Sequence, residues 1–237
     1  MATDPHDMPQ QLALRFPLRQ DATFGNFVED ATATVVAQLR LFLEQDSENF
    51  LYLWGPCGSG LSHLLQASCH AVEEAGSSAI YMPLTALGDS VVDALEGLEQ
   101  YDLICLDELE QVAGSQDAEQ AIFHCFNRAR DCRAKLIIAG HQPVRGLGLQ
   151  LPDLESRLQW GMTLHVTAPG DGVKTRVLRQ RALERGFELP EDVASFIMKR
   201  SERSLGQLLD ILERLDRASL SAQRKLTVPF VKQTLGW

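Results

Sequence analysis

The stretch that most constrains this chain is FLYLWGPCGSGLSHLL, residues 50–65. Five strand-forming residues run into a glycine-rich turn, and the turn opens an apolar helical run. In that arrangement backbone N–H groups and a helix N-terminus cradle phosphate. Gly55 and Gly60 fall on the two glycines of the G-x-x-x-x-G-K-[ST] spacing, and Ser62 takes the hydroxyl position that ligates magnesium. Leu61 stands where the phosphate-binding lysine belongs. Gly55, Pro56, Cys57, Gly58, Ser59, Gly60, Leu61, Ser62 and His63 therefore read as a loop that can hold a nucleoside diphosphate through its glycine frame, backbone donors and hydroxyl. The missing ammonium removes the charge that binds a γ-phosphate and stabilises its transfer. Nucleotide binding without efficient hydrolysis is the expectation, and a plain strand-turn-helix is the simpler alternative.

Residues 102–108, DLICLDE, read as a buried strand that delivers Asp107 and Glu108 to the C-terminal edge of a parallel sheet. There Asp107 would share a Mg²⁺ ion with Ser62, and Glu108 would orient an attacking water. Acidic strand ends are also common in ordinary turns, so the force of this reading lies in the strand-helix alternation that follows the glycine loop. His141, at the end of the strand KLIIA, occupies a place suited to sensing a γ-phosphate; a structural histidine is the plainer reading.

Further strands are expected over 78–82, 135–139 and 163–167, alternating with helices over 61–75, 86–98 and 118–132. That pattern predicts an α/β fold, a parallel five-stranded sheet flanked by helices. After Pro169-Gly170 the chain shows helical periodicity only, over 173–185, 191–199, 205–220 and 228–235. The expected organisation is a tail over 1–20, a nucleotide-binding domain over 21–168 and a small all-helical domain over 169–237. Phe24 and Phe27, upstream of the loop, would wall a base or pack in the core.

The tail carries Gln11, Leu12, Leu14 and Phe16 between Pro9 and Pro17. Such an apolar cluster fits a peptide that docks in a partner's groove, or a strand packed on its own domain. In LPDLESRLQWG, Arg157 lies one turn into a short helix with Leu154, Leu158 and Trp160 available to anchor it. A rigidly held arginine suits a transition-state phosphate on a neighbouring molecule, and a surface ion pair with Glu155 or Asp153 is the bland counterpart. Arg203 opens the 205–220 helix and would point back toward the nucleotide or into solvent.

A net charge of −10 argues against a broad phosphate-backbone surface, because counterion release needs clustered Lys and Arg. The five cysteines form no C-x-x-C pair, and Cys69, Cys105 and Cys125 lie in apolar runs, as suits a reducing cytoplasm. No export signal and no apolar run of membrane-spanning length is present, so no membrane role is expected.

The alternation of strands around the glycine loop, followed by a helical lobe, is the pattern of AAA+ proteins. More closely, TFGNFVE, GSGLSHLL, LESRLQWG, RGFELPEDV and LDRASLSAQRKLTVPFVKQTL resemble the bacterial replication initiator DnaA family and, within it, the Hda branch, whose members inactivate the initiator. The resemblance spans nearly the whole chain. It implies an AAA+ P-loop core with a helical lid, ADP in the loop, and Arg203 as the lid's sensor arginine. It implies that Gln11, Leu12, Leu14 and Phe16 bind the DNA polymerase III sliding clamp, and that Arg157 acts as an arginine finger in trans on DnaA-bound ATP. The initiator continues into a helix-turn-helix domain, whereas this sequence ends at Trp237, so direct sequence-specific DNA binding is not expected. An ATPase or helicase loader acting on its own ATP, and a clamp-tethered adaptor without catalytic contribution, are the alternatives; a homo-oligomer is compatible with either.

Overall fold

In the computed structural model, residues 16–28, 35–45, 48–201, 204–222 and 224–237 are described. They fall into two compact units, one drawn from 16–24, 35–55 and 61–165, the other from 25–28, 56–60 and 166–237.

The first unit is built on five parallel strands, β1 (Phe50–Trp54), β2 (Ala79–Pro83), β3 (Leu103–Asp107), β4 (Lys135–Gly140) and β5 (Met162–His165), in the order β2-β3-β4-β1-β5. Strands covered on both faces read as unbroken apolar runs. FLYLW, AIYMP and LICLD do so, each buried through at least its first four residues. At the edge, β5 buries only Leu164, and its pattern alternates accordingly. One face packs Phe50, Tyr52, Ile104, Leu106, Leu136 and Ile138 into a core with Leu154 and Leu158. Cys105, on the alternate register, turns its thiol to the Leu65 carbonyl at 3.7 Å. Because β1 sits between β4 and β5, the carboxyl ends of β1, β4 and β3 lie side by side, the position at which open α/β sheets bind ligands.

The helices of this unit are α1 (Val35–Glu44), α2 (Leu61–Glu74), α3 (Val91–Ala94), α4 (Gln116–Asp131) and α5 (Pro152–Trp160). The helix expected over 86–98 is broken into short 3-10 turns around the four-residue α3. Gly88 and Gly97 interrupt it at φ +51° and +74°, while Leu84, Leu87, Val91, Leu95 and Leu98 stay buried. The apolar spacing was real, but each interior glycine costs a helix about 1 kcal/mol, and the coil satisfies the same burial.

The second unit contains α6 (Asp171–Glu184), α7 (Glu191–Arg200), α8 (Leu205–Ala222) and α9 (Val228–Leu235) around a core that includes Leu178, Val193, Ile197, Leu208, Leu212 and Val231. Thr227 caps α9 by accepting from the Phe230 amide at 3.4 Å, with Pro229 in the first turn. Among the described residues no helix is long and apolar enough to cross a membrane.

Candidate functional site

β1 runs into Gly55, whose amide donates to the Gly140 carbonyl at 3.3 Å. In the loop that follows, Gly58 and Gly60 adopt φ +78° and +99°, conformations that side chains resist. A β-carbon on Gly60 would stand 2.6 Å from Cε2 of Phe27, whose ring covers that peptide, whereas nothing lies within 4 Å of the equivalent point on Gly58. Backbone at Gly58 is thus open to close approach by a ligand. Pro56 and Cys57 are exposed. Ser59 is 5% exposed and its Oγ has no hydrogen-bond partner among the described residues, although its amide donates to the Pro56 carbonyl at 3.0 Å. A buried hydroxyl left without a partner costs about 1–3 kcal/mol, and a phosphate oxygen is the kind of acceptor it lacks. Leu61, the first residue of α2, is buried. The position of the phosphate-binding lysine is therefore spent on core packing. Nε2–H of His63 donates to the Thr23 carbonyl at 2.8 Å.

Asp107, at the end of β3, is 2% exposed. Its Oδ2 accepts from the Tyr81 hydroxyl at 2.7 Å and its Oδ1 from the Glu108 amide at 2.9 Å, and the Ser62 hydroxyl lies beside it. Burial raises its pKa, the Ser62 and Tyr81 hydroxyls oppose that rise, and the Glu108 charge adds to it. The Tyr81 phenol is also pushed up, by burial first and by the Asp107 charge second. The Ser62 hydroxyl and the Asp107 carboxylate together offer hard oxygen donors of the kind Mg²⁺ takes alongside nucleotide phosphates. No group of three or more His, Cys, Asp or Glu side chains placed to hold a metal occurs among the described residues. Glu108 has left-handed backbone, φ +61°, and its carboxylate accepts from the Thr85 hydroxyl.

His141 follows β4, and its Nδ1 meets Oε1 of Glu110 while its amide donates to Oε2 of the same carboxylate at 3.1 Å. A structural partner is thus present. Beside it the Tyr52 hydroxyl donates to the Gln142 carbonyl at 2.7 Å, and its pKa is raised by burial and then by the Glu110 charge.

Arg157 projects half-exposed from α5, which Leu154 and Leu158 pin to the sheet with 0% exposure each. Trp160 does not anchor the helix as expected; it is 76% exposed, and the Arg157 guanidinium lies 5.1 Å from its ring centroid. Glu155 accepts from Gln159 at 2.9 Å instead of pairing with Arg157, which has no ion pair among the described residues. Phe16 packs half-buried against the core of the first unit, Phe24 is buried beneath the Arg40 guanidinium at 4.9 Å, and Phe27 is the ring over Gly60. Gln11, Leu12, Leu14 and Arg203 lie outside the described residues.

The structure brings Ser62, Asp107 and Glu108 together and keeps Arg157 with Trp160. Tyr81, Thr85 and Glu110 join this constellation without having been singled out in the sequence. Tyr81 pairs with Cys105 in the β2-β3 ladder, two positions before Asp107, so knowledge of strand order would have found it.

The chain matches the family model "Bacterial DnaA ATPase domain" over residues 18–165 and the model "Hda, lid domain" over 171–235. Among solved structures it is similar to domain III of the Thermotoga maritima replication initiation protein DnaA, at 22% identity and TM-score 0.82, covering 93% of this chain and 98% of that one. AMPPCP-bound DnaA from Aquifex aeolicus matches at 20% identity and TM-score 0.69, over 83% of this chain and 65% of that one. The Thermotoga maritima RuvB Holliday junction branch migration motor matches at 19% identity and TM-score 0.67, over 91% of this chain and 71% of that one. These likenesses show an AAA+ fold. With the ATPase-domain match covering well over half of its length, and a lid of the Hda type after it, the chain belongs to the bacterial DnaA ATPase-domain family as an Hda-like homologue of DnaA.

Proposed function

We propose that this protein regulates initiation of bacterial chromosome replication: acting with the DNA-loaded sliding clamp, it stimulates hydrolysis of ATP bound to DnaA. Arg157 supplies its guanidinium in trans as an arginine finger, a contribution worth about 10³–10⁵ in rate in such systems. The observation that carries the reading is Arg157 itself, raised on a helix pinned by two fully buried leucines, stacked over an exposed tryptophan and without an ion pair among the described residues. Its charge is available to a neighbour's phosphate.

ADP is assigned to the loop 55–63, a reading supported by the open backbone at Gly58, a Ser59 hydroxyl without a partner among the described residues and the AMPPCP carried by two solved DnaA structures. Ser62 and Asp107 would hold an accompanying Mg²⁺, which neutralises phosphate charge when bound. Arg203 would serve as the lid's sensor arginine. With Leu61 buried in the lysine position and Glu108 engaged by Thr85, the chain's own nucleotide is held rather than turned over. Gln11, Leu12, Leu14 and Phe16 would enter the clamp's hydrophobic groove, with Phe16 exchanging its contact on the first unit for one on the clamp. The Asp107 and Glu108 carboxylates at the end of β3 also favour a second reading, an ATPase acting on its own ATP, which predicts turnover by the purified chain alone.

The test is single-turnover hydrolysis of ATP pre-bound to DnaA, with DNA-loaded clamp, comparing the parent with Arg157→Ala. The parent is expected to accelerate hydrolysis at least a hundredfold over the variant. Equal acceleration by both removes the finger; acceleration by neither leaves a clamp-tethered adaptor.

A further inference from the structure

Glu119, in the first turn of α4, is 0% exposed and has no cation partner among the described residues. Its carboxylate is held by backbone amides. Oε1 accepts from Gly114 at 2.6 Å and from Gln150 at 3.1 Å, while Oε2 accepts from Gln150 at 2.9 Å and from Leu151 at 2.7 Å. Buried charge is tolerated when it is this fully hydrogen-bonded, and bonds to an ionised acceptor are shorter and roughly twice as strong as neutral ones.

The two segments it joins are far apart in sequence and both bear on the site. Gly114 closes the turn that follows Asp107, Glu108 and Glu110. Gln150 and Leu151 are the last residues before α5, and Leu151 is the cap position of that helix, which has no side-chain cap of its own. Arg157 follows five residues after Pro152, so it stands about 8 Å along the helix at 1.5 Å per residue. A rotation of the helix start is carried directly to the guanidinium.

We propose that Glu119 is a positioning residue for Arg157: by gripping the Gly114, Gln150 and Leu151 amides it fixes the start of α5 relative to the turn after β3. This rests on the finger reading of Arg157. An apolar side chain would fill the same space without fixing the direction of α5, because dispersion contacts are non-directional whereas the amides must point at the carboxylate.

Glu119→Gln, which keeps the shape and removes the charge and one acceptor, tests this in two measurements. In the DnaA assay with DNA-loaded clamp, the maximal stimulated rate is expected to fall at least tenfold, while the concentration of this protein giving half-stimulation stays within twofold. The double variant Glu119→Gln/Arg157→Ala is expected to be no slower than Arg157→Ala alone, as for residues acting as one unit. By hydrogen exchange, amides of 113–115, 149–151 and 153 are expected to exchange at least tenfold faster, with β1, β3 and β4 unchanged. If Glu119→Gln does not fold, Glu119→Asp, which retains the charge and withdraws it by about 1.5 Å, is carried through the same measurements. A maximal rate within twofold of the parent, or a double variant further slowed at least tenfold, overturns the proposal. If Arg157→Ala itself stimulates fully, the finger reading fails and the functional half of the proposal with it; unchanged exchange at 149–151 and 153 overturns the structural half independently.

Discussion

Gly161 is where the fit of the arginine-bearing helix can be measured. It ends α5 and turns the chain into β5 with φ −83° and ψ −179°, a conformation alanine adopts freely. On chain entropy alone Gly161→Ala would stabilise by about 0.4–1 kcal/mol. A β-carbon there, however, would stand 2.2 Å from Phe50 Cδ1 and 2.8 Å from the Phe50 carbonyl oxygen. The ring can turn, but the carbonyl belongs to β1, whose next residue, Leu51, pairs with Met162 in the ladder. Overpacking costs about 1–3 kcal/mol, and the upper half applies where backbone must move. Subtracting the entropic gain leaves a net loss of about 1–2.5 kcal/mol. Urea unfolding followed by tryptophan fluorescence, which samples Trp54, Trp160 and Trp237, should show the midpoint lower by about 0.5–1.3 M for slopes near 2 kcal/mol/M. Repeating the substitution in a Phe50→Ala background separates the obstacles. A loss that persists assigns the clash to the carbonyl, and one that vanishes assigns it to the ring. A Gly161→Ala midpoint equal to or above the parent's would refute the reasoning, because it would mean that β1 yields without cost.

Two further outcomes follow from the site. Gly60→Ala places a β-carbon at φ +99° and against Phe27, so a loss of about 1–3 kcal/mol in thermal melts is expected; Phe27→Ala should restore the steric share and leave the backbone strain. For Asp107, burial and then the Glu108 charge make the folded chain hold the carboxyl proton more tightly than the unfolded chain does. Stability from this group therefore falls as pH rises from the unfolded value near 3.9 through the folded one, and the full penalty stands at neutral pH. Asp107→Asn should melt above the parent at pH 7.5, with the difference shrinking toward pH 4; an advantage that grows on acidification would reverse the assignment.

The strands and most helices were legible because their signals are local. FLYLW, LICLD and KLIIA announce strands covered on both faces, and the loop that follows β1 carries its glycines at a spacing only a tight turn requires. Where the local reading went astray, at 86–98, the leucine spacing was compatible with two backbones, and two glycines chose between them. An indole beside leucines usually packs, yet in the fold Trp160 faces outward under Arg157. The pattern of α5 said which side chains are apolar, not how many of them the sheet has room to cover.

By itself the sequence determined the parallel sheet, the loop, the missing lysine and the carboxylates at the end of β3, since each depends on residue type and spacing along the chain. Only the tertiary structure decided what meets them. Tyr81 on Asp107, Thr85 on Glu108, Glu110 on His141, Phe27 over Gly60 and Glu119 under the start of α5 are contacts between segments up to 33 residues apart. Periodicity reports which face of an element is buried, but the identity of the neighbour follows from strand order and from which backbone amides a fold leaves without partners.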